Sequence, residues 1–403
     1  MPPEPKSWRS EPYRIFFPLG LLAGIWGVMM WPMLYAGWLK FHPGEAHTRI
    51  MIEGFMGAFV IGFIGTAFPR LTDHQVWRVG EWIAILLLWL LTVISHVCGH
   101  VGAGDGAFCG ALGVLLLSVL SRWLLGRRDT PPPGFVLVLP ALAGAIVATW
   151  ALSRPGLSQI QIQWAKLWLH QAFPLLPLMG IAPYVIPRFF GEDSSHSMET
   201  SIRPPGGWWP KALKAVAAGV LIVVSFALEV AGHATIGHLL RAATLLVWFL
   251  IECPPLMRRA KLSTTPANAC RWALGSMILA WIAAGIWPQA RVGSLHLFFA
   301  SGIALFTLAV GVRVILGHAG RHDLLQGKIV WLRWVIGLLI LASTTRMSAD
   351  LIPKVQVSHY IYAAWSWAIA GALWLIMLAR FLMQDDTPRP PKPSKCPKRK
   401  NRS

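Results

Sequence analysis

Charge is scarce in this sequence. Asp, Glu, Lys and Arg make up 13% of its 403 residues, where an ordinary soluble domain carries about a quarter. A disordered chain and a typical soluble enzyme are therefore excluded. Acidic residues are the scarcer sign, 17 against 36 basic ones, which leaves a formal net charge of +19. Alone, that excess would point to nucleic acid. The basic residues are unevenly spread, however, and a Pro- and Lys-rich stretch from 380 to 402 holds a cluster of them, so the body is poorer in charge than its average. Cysteine is sparse as well. The five cysteines form no C-x-x-C pair, which argues against a Cys-based zinc or iron–sulfur centre. Cys98 and Cys109 fall near one loop and read either as a disulfide or as two small thiols.

What is abundant is apolar: 55% of the residues, gathered in twelve stretches near the length that crosses a bilayer. Lipid cannot hydrogen-bond to bare backbone, so each stretch predicts a spanning helix. The expected spans are 16–39, 51–68, 81–97, 107–125, 135–152, 164–185, 213–231, 239–251, 272–287, 297–315, 330–344 and 360–383, the eighth being the shortest. The fold class predicted is an all-α polytopic membrane protein of about 12 transmembrane helices. Most Lys and Arg residues fall at the ends that share a side with the N-terminus, from Lys6, Arg9 and Arg14 through to the tail. Cytoplasmic loops retain positive charge, so both termini are expected in the cytoplasm. The first run contains Trp26, Trp31 and Pro32 without a small-residue cleavage site, which reads as an uncleaved span rather than a secretory signal. The domain organisation expected is a cytoplasmic N-terminal segment (1–15), one integral membrane domain (16–383) and a basic cytoplasmic tail (384–403) that is disordered. The pairs Gly20/Gly24 and Gly106/Gly110 have small-residue helix-packing spacing.

Thirteen histidines are many for so apolar a chain, and the predicted topology puts His42, His47, His96, His100, His170, His233, His238, His296 and His359 toward the outer side. Imidazole ligates haem iron and copper alike, and polar groups at membrane depth usually face an interior site. His47, His170, His233 and His296 sit at or near the outer ends of four spans, so four helices could aim ligands into one outer-leaflet cavity. An interfacial histidine bonded to backbone or water is the competing reading for each. His96 and His100 stand one helical turn apart around Cys98, either as an auxiliary copper site or in a structural role. Glu229 precedes His233 by four residues and either orients that imidazole or forms a salt bridge with Arg241 or Lys166. Met51 either ligates soft metal or packs. Pro174, Pro177, Pro183 and Pro187 each remove a backbone donor and are expected to kink the sixth span beside His170.

Three stretches resemble the NnrS family of bacterial membrane proteins. His47-Thr-Arg-Ile-Met51-Ile-Glu-Gly54-Phe55 leads to Gly62-Phe63-Ile-Gly-Thr66-Ala67-Phe-Pro69, similar to the family's G-F-x-x-T-A-x-P. Val185-Ile186-Pro187-Arg188-Phe189-Phe190 is similar to its V-I-P-F-F segment. His296, Arg313 and Gly317-His318-Ala319-Gly320-Arg321 are close to its R-x-x-x-G-H-T-G-R. Two departures stand out: the family's H-A-H-E becomes His47-Thr48-Arg49-Ile50, and the Arg that precedes V-I-P is Tyr184. A more distant likeness is to the catalytic subunit of haem-copper oxidases, through His47 with Met51 and through Trp168-Leu-His170-Gln-Ala-Phe-Pro174. The H-P-E, the adjacent histidine pair and the tenth-helix H-x-H of those enzymes are missing, so the likeness does not extend to a full oxidase site.

The resemblance implies haem b and copper as cofactors, and a bacterial inner-membrane protein of nitric-oxide metabolism, denitrification or the nitrosative-stress response. On that reading His47 and His296 are the axial haem candidates and His170 and His233 the copper candidates. Glu229 is then a supporting carboxylate, and His96, His100 and His318 are auxiliary. His318 falls on the cytoplasmic side, where it either caps the tenth helix or makes a second cofactor contact. Expected partners are the bilayer, nitric oxide or another small gas, and an electron donor of unknown kind, with no nucleic acid. The rival classes are a cofactor-free secondary transporter, which predicts repeat symmetry that the halves do not show, and a haem-based sensor or assembly factor without turnover.

Overall fold

A computed structural model of the protein describes residues 11–192, 201–258 and 264–384. Most of segment 1–15, nearly all of the tail 384–403 and Cys396 lie outside the described residues. Among those described, all regular structure is helical, and twelve helices are long and apolar enough to cross a membrane. In chain order, spans 1 to 6 are Tyr13–Tyr35, Gly44–Leu71, Val79–Val97, Val101–Leu125, Pro133–Leu152 and Gln159–Phe189. Spans 7 to 12 are Trp208–Val230, Ala234–Glu252, Thr265–Ile286, Pro288–His318, Val330–Leu351 and Pro353–Leu382.

Most helices outrun the apolar stretches that announce them, because polar terminal turns can be helical wherever protein or interface satisfies them, whereas span 1 stops at Tyr35, short of the expected 39. Span 8 begins at Ala234, ahead of the expected 239. Spans 2, 6 and 10 gain most, starting at Gly44, Gln159 and Pro288. His47 and His296 therefore lie inside helices. Tight turns join some neighbouring spans: Gly99 (φ +81°) lies between spans 3 and 4, and Gly232 (φ +92°) between spans 7 and 8, a backbone region that side chains disfavour. Span 6 opens on a capping box, with Ser158 and Gln161 bonding each other's backbone N–H.

Spans 2, 6 and 10 form the centre, with 78%, 83% and 78% of their apolar windows buried, against 33% for spans 3 and 11. Close approach relies on missing side chains. A Cβ on Gly20 would stand 2.5 Å from Ala58, and one on Gly24 would stand 2.5 Å from Trp367, so span 1 wedges against spans 2 and 12. Gly134 and Gly180 bring the backbones of spans 5 and 6 together in the same way, each Cβ position falling within 2.4 Å of the other's carbonyl oxygen. Gly106 has open space beside it, so the pair Gly106/Gly110 is not such a contact. Cys98 and Cys109 are free thiols, which resolves that alternative against a disulfide. Leucines such as Leu22, Leu87, Leu91 and Leu117 are exposed and form the lipid-facing coat.

Candidate functional site: a histidine cavity and its buried supports

A cavity of about 420 Å³ opens among spans 1, 2, 6, 10, 11 and 12, and three of the four leading histidines, His47, His170 and His296, line it. Its walls are otherwise mainly apolar, with Val28, Ile52, Leu295, Phe299 and Trp367 prominent, while Lys166 and Arg346 contribute cationic heads. Both cations are paired, Lys166 with Glu45 at 2.7 Å and Arg346 with Asp350. Met51 lines the cavity too.

The ring nitrogens of two histidines are assigned by their partners. His47 Nδ1 lies 2.9 Å from the Gly27 carbonyl and His296 Nδ1 lies 2.8 Å from the Val292 carbonyl. A carbonyl only accepts, so each Nδ1 carries the proton and each Nε2 keeps its lone pair. Gly27 allows this contact: a Cβ there would meet Ile50 at 2.9 Å and Met51 at 3.2 Å, and would push span 1 off span 2. His170 has the same tautomer but not the same freedom. Arg49 Nη1, which can only donate, lies 3.1 Å from its Nε2, so that lone pair is already engaged.

Each central span widens into a π-helical segment beside its histidine. Ile50–Met56 follows His47, Trp168–Ala172 contains His170, and Leu297–Ala304 follows His296. Such wide turns are rare and cluster at functional sites. Each has a local support. The Trp89 indole of span 3 donates to the carbonyls of Glu53 (3.2 Å) and Gly54 (3.1 Å). In span 6, Pro174 cannot donate to the carbonyl of His170, four residues earlier, and the helix widens ahead of it. Ser301 returns its hydroxyl to the Leu297 carbonyl at 3.1 Å and accepts from Ser343 at 2.9 Å. Apolar runs carry no signal for these segments.

Behind His170 lies a cluster of four ionisable side chains, all at most 2% exposed: Arg49, Glu53, His96 and Asp105. Arg49 donates to Asp105 through Nε at 2.7 Å and through Nη2 at 3.3 Å, and His96 Nε2 lies 2.9 Å from Glu53 Oε2. The ligating atoms of Glu53, His96 and Asp105 fall within 4.8 Å of one another, a donor set that also suits a cation, and the Arg49 guanidinium supplies positive charge there. Buried charge is tolerated only when paired in this manner. His96 rests on a glycine, since a Cβ on Gly104 would stand 2.3 Å from its ring. His100 is exposed, so His96 and His100 do not converge. Asp105 escaped the sequence reading, as a single carboxylate in a glycine-rich apolar run has no periodic signal.

A second buried arginine holds the other flank of the same wide turn. Arg241 Nη1 donates to Gln171 Oε1 at 2.7 Å and Nε to Ser225 Oγ at 2.8 Å, while Trp281 Nε1 reaches Gln171 at 3.3 Å. Glu229 pairs with Arg241 and Arg291, so its salt-bridge reading is the one realised and it does not orient His233. His233 itself is exposed at the start of span 8, away from the cavity lining. His318 stands at the opposite end of the bundle, bonded to Arg70 and 3.2 Å from Glu11, and the cavity does not include it.

The family model described as NnrS protein matches residues 7–385, and the chain belongs to that family. No curated protein matches it.

Proposed function

We propose that this member of the NnrS family holds haem b in the histidine cavity, with His47 and His296 as axial ligands, and serves nitric-oxide metabolism in the bacterial cytoplasmic membrane. The observation that carries the reading is the pair of tautomers. Two imidazoles from separate central helices line one cavity, each with Nδ1–H fixed on a backbone carbonyl, the arrangement by which proteins orient a histidine to ligate through Nε2. The walls also fit the group. Their apolar side chains suit a macrocycle, Lys166 and Arg346 would exchange their partners Glu45 and Asp350 for its carboxylates, and about 420 Å³ falls in the range of cofactor pockets.

When bound, haem would supply one-electron redox chemistry, and a diatomic gas would reach its iron only where one of the two imidazoles gives way. The chain's own residues do the rest. The Gly27 and Val292 carbonyls set the two imidazoles, Arg49 keeps a proton on His170 Nδ1 by occupying Nε2, and the apolar wall limits water.

Copper, which the resemblance also implies, does not find its candidate ligands His170 and His233 together. His233 does not reach the cavity and the Nε2 of His170 is engaged by Arg49, so these two residues do not form a copper site. The orientation we propose places the cavity at the outer face and both termini in the cytoplasm, supported by the excess of Lys and Arg at the opposite end of the spans. The single membrane domain 16–383 accords with the continuous packing of the twelve helices.

An absorption spectrum and metal analysis of the purified protein test the reading. We expect a Soret band that both His47→Ala and His296→Ala abolish or shift. Full haem content with an unchanged Soret band in either variant overturns the axial assignment, and a colourless wild type favours the cofactor-free transporter.

A further inference from the structure

Deeper in the bundle lies a second, smaller cavity of about 70 Å³, walled mainly by the same three central helices, with Val60 and Ile64 of span 2, Pro177 and Ile181 of span 6 and Ile303 and Phe306 of span 10, and completed by Phe17 of span 1. The Met56 side chain belongs to the walls of both cavities. On each central helix the lining passes from one to the other within about a turn, at Met56, between His170 and Pro174, and between Ala300 and Ile303.

The chemistry of this chamber is narrow. Thr307 is the one side chain of its lining that carries a polar group, whereas a trapped water needs two to four polar partners. It is therefore dry. Its volume is a fraction of that of the histidine cavity and too small for a macrocycle. Apolar cavities about twice this size stay dry and take up xenon or benzene, so a single atom or a diatomic is what fits here. Methionine is flexible and polarizable, which suits Met56 to a partition that yields to a small apolar guest.

We propose that this chamber is a binding site for a small uncharged diatomic gas, which reaches the histidine cavity past Met56. The identity of the receiving group rests on the haem reading above; the affinity of the chamber for an apolar guest does not.

Xenon serves as the probe. Protein labelled with methyl-¹³C methionine in lipid nanodiscs is followed by NMR under rising xenon pressure, the Met56 signal being identified by its absence in Met56→Leu. We expect that signal to shift and saturate while lipid-facing methionines drift linearly. Ile303→Trp or the milder Val60→Phe should remove the saturable part. A Met56 signal that only drifts, as it would if an acyl chain filled the chamber, overturns the proposal, and so does saturation that survives both filled variants. After photolysis of carbon monoxide bound to the haem-loaded protein, the same variants should change the rebinding rate several-fold, with the Soret band before ligation unchanged. A colourless protein that still shows the saturable xenon shift would refute the haem reading and leave the chamber standing.

Discussion

Spans 2, 6 and 10 cross the membrane as the other nine do, and yet they are buried to about 80% where spans 3 and 11 are buried to a third. The difference lies in what each helix meets. A lipid-facing helix satisfies its surroundings with leucine, whereas a central helix must settle every polar group against protein, because the interior leaves unpaired groups costly. The central three carry the cavity histidines, all three π-helical segments and most of the lining of the smaller cavity. The peripheral helices supply supports: Trp89 from span 3, Asp105 from span 4, Arg241 from span 8.

The sharpest way to break this division is to compare histidines across it. His47→Ala and His296→Ala, in central spans, should each lose haem and its Soret band, while His233→Ala on span 8 should leave spectrum and haem content unchanged. Equal loss in His233→Ala would show that the periphery also ligates. Next in size is the Arg49 cluster. Arg49→Ala leaves Asp105 buried without its cation, a change worth about 3–5 kcal/mol, and should lower the melting temperature in detergent strongly. A wild-type melting curve would mean that Asp105 finds another partner.

A smaller effect separates two glycines. At Gly144, on span 5, a Cβ would stand 1.5 Å from the Trp168 indole nitrogen, so Gly144→Ala should displace that ring from the wide turn of span 6 at a cost of about 1–3 kcal/mol. Gly113 on span 4 has open space beside it, and Gly113→Ala should be neutral or stabilise by up to about 1 kcal/mol. Thermal melting of both variants checks the contrast. Matching behaviour would imply that the tight seat of Trp168 relaxes freely.

Much of the frame was legible beforehand. Twelve apolar runs announced twelve helices, and Pro174 marked the place beside His170 where span 6 departs from a regular helix. The helix ends were less legible, because the polar turns that carry His47 and His296 look like loops until a cavity wall accounts for them. The histidines divided similarly. His47, His170 and His296 meet, but spacing along the chain cannot tell that His233 turns outward while Gln171 receives the buried arginine of the same helix pair. Arg49 registered only as a departure from a family motif, and its grip on His170 and Asp105 depends on spans 2, 4 and 6 meeting in space.

The sequence by itself determined that the chain crosses the membrane about twelve times and which family it belongs to, since lipid imposes helices on apolar runs regardless of their neighbours and family motifs are local strings. Only the tertiary structure decided which helices are central, which imidazoles share a cavity and which nitrogen of each is free. Those properties are set by contacts between residues far apart in the chain, Gly27 with His47 or Arg49 with Asp105, and one-dimensional periodicity holds no record of them.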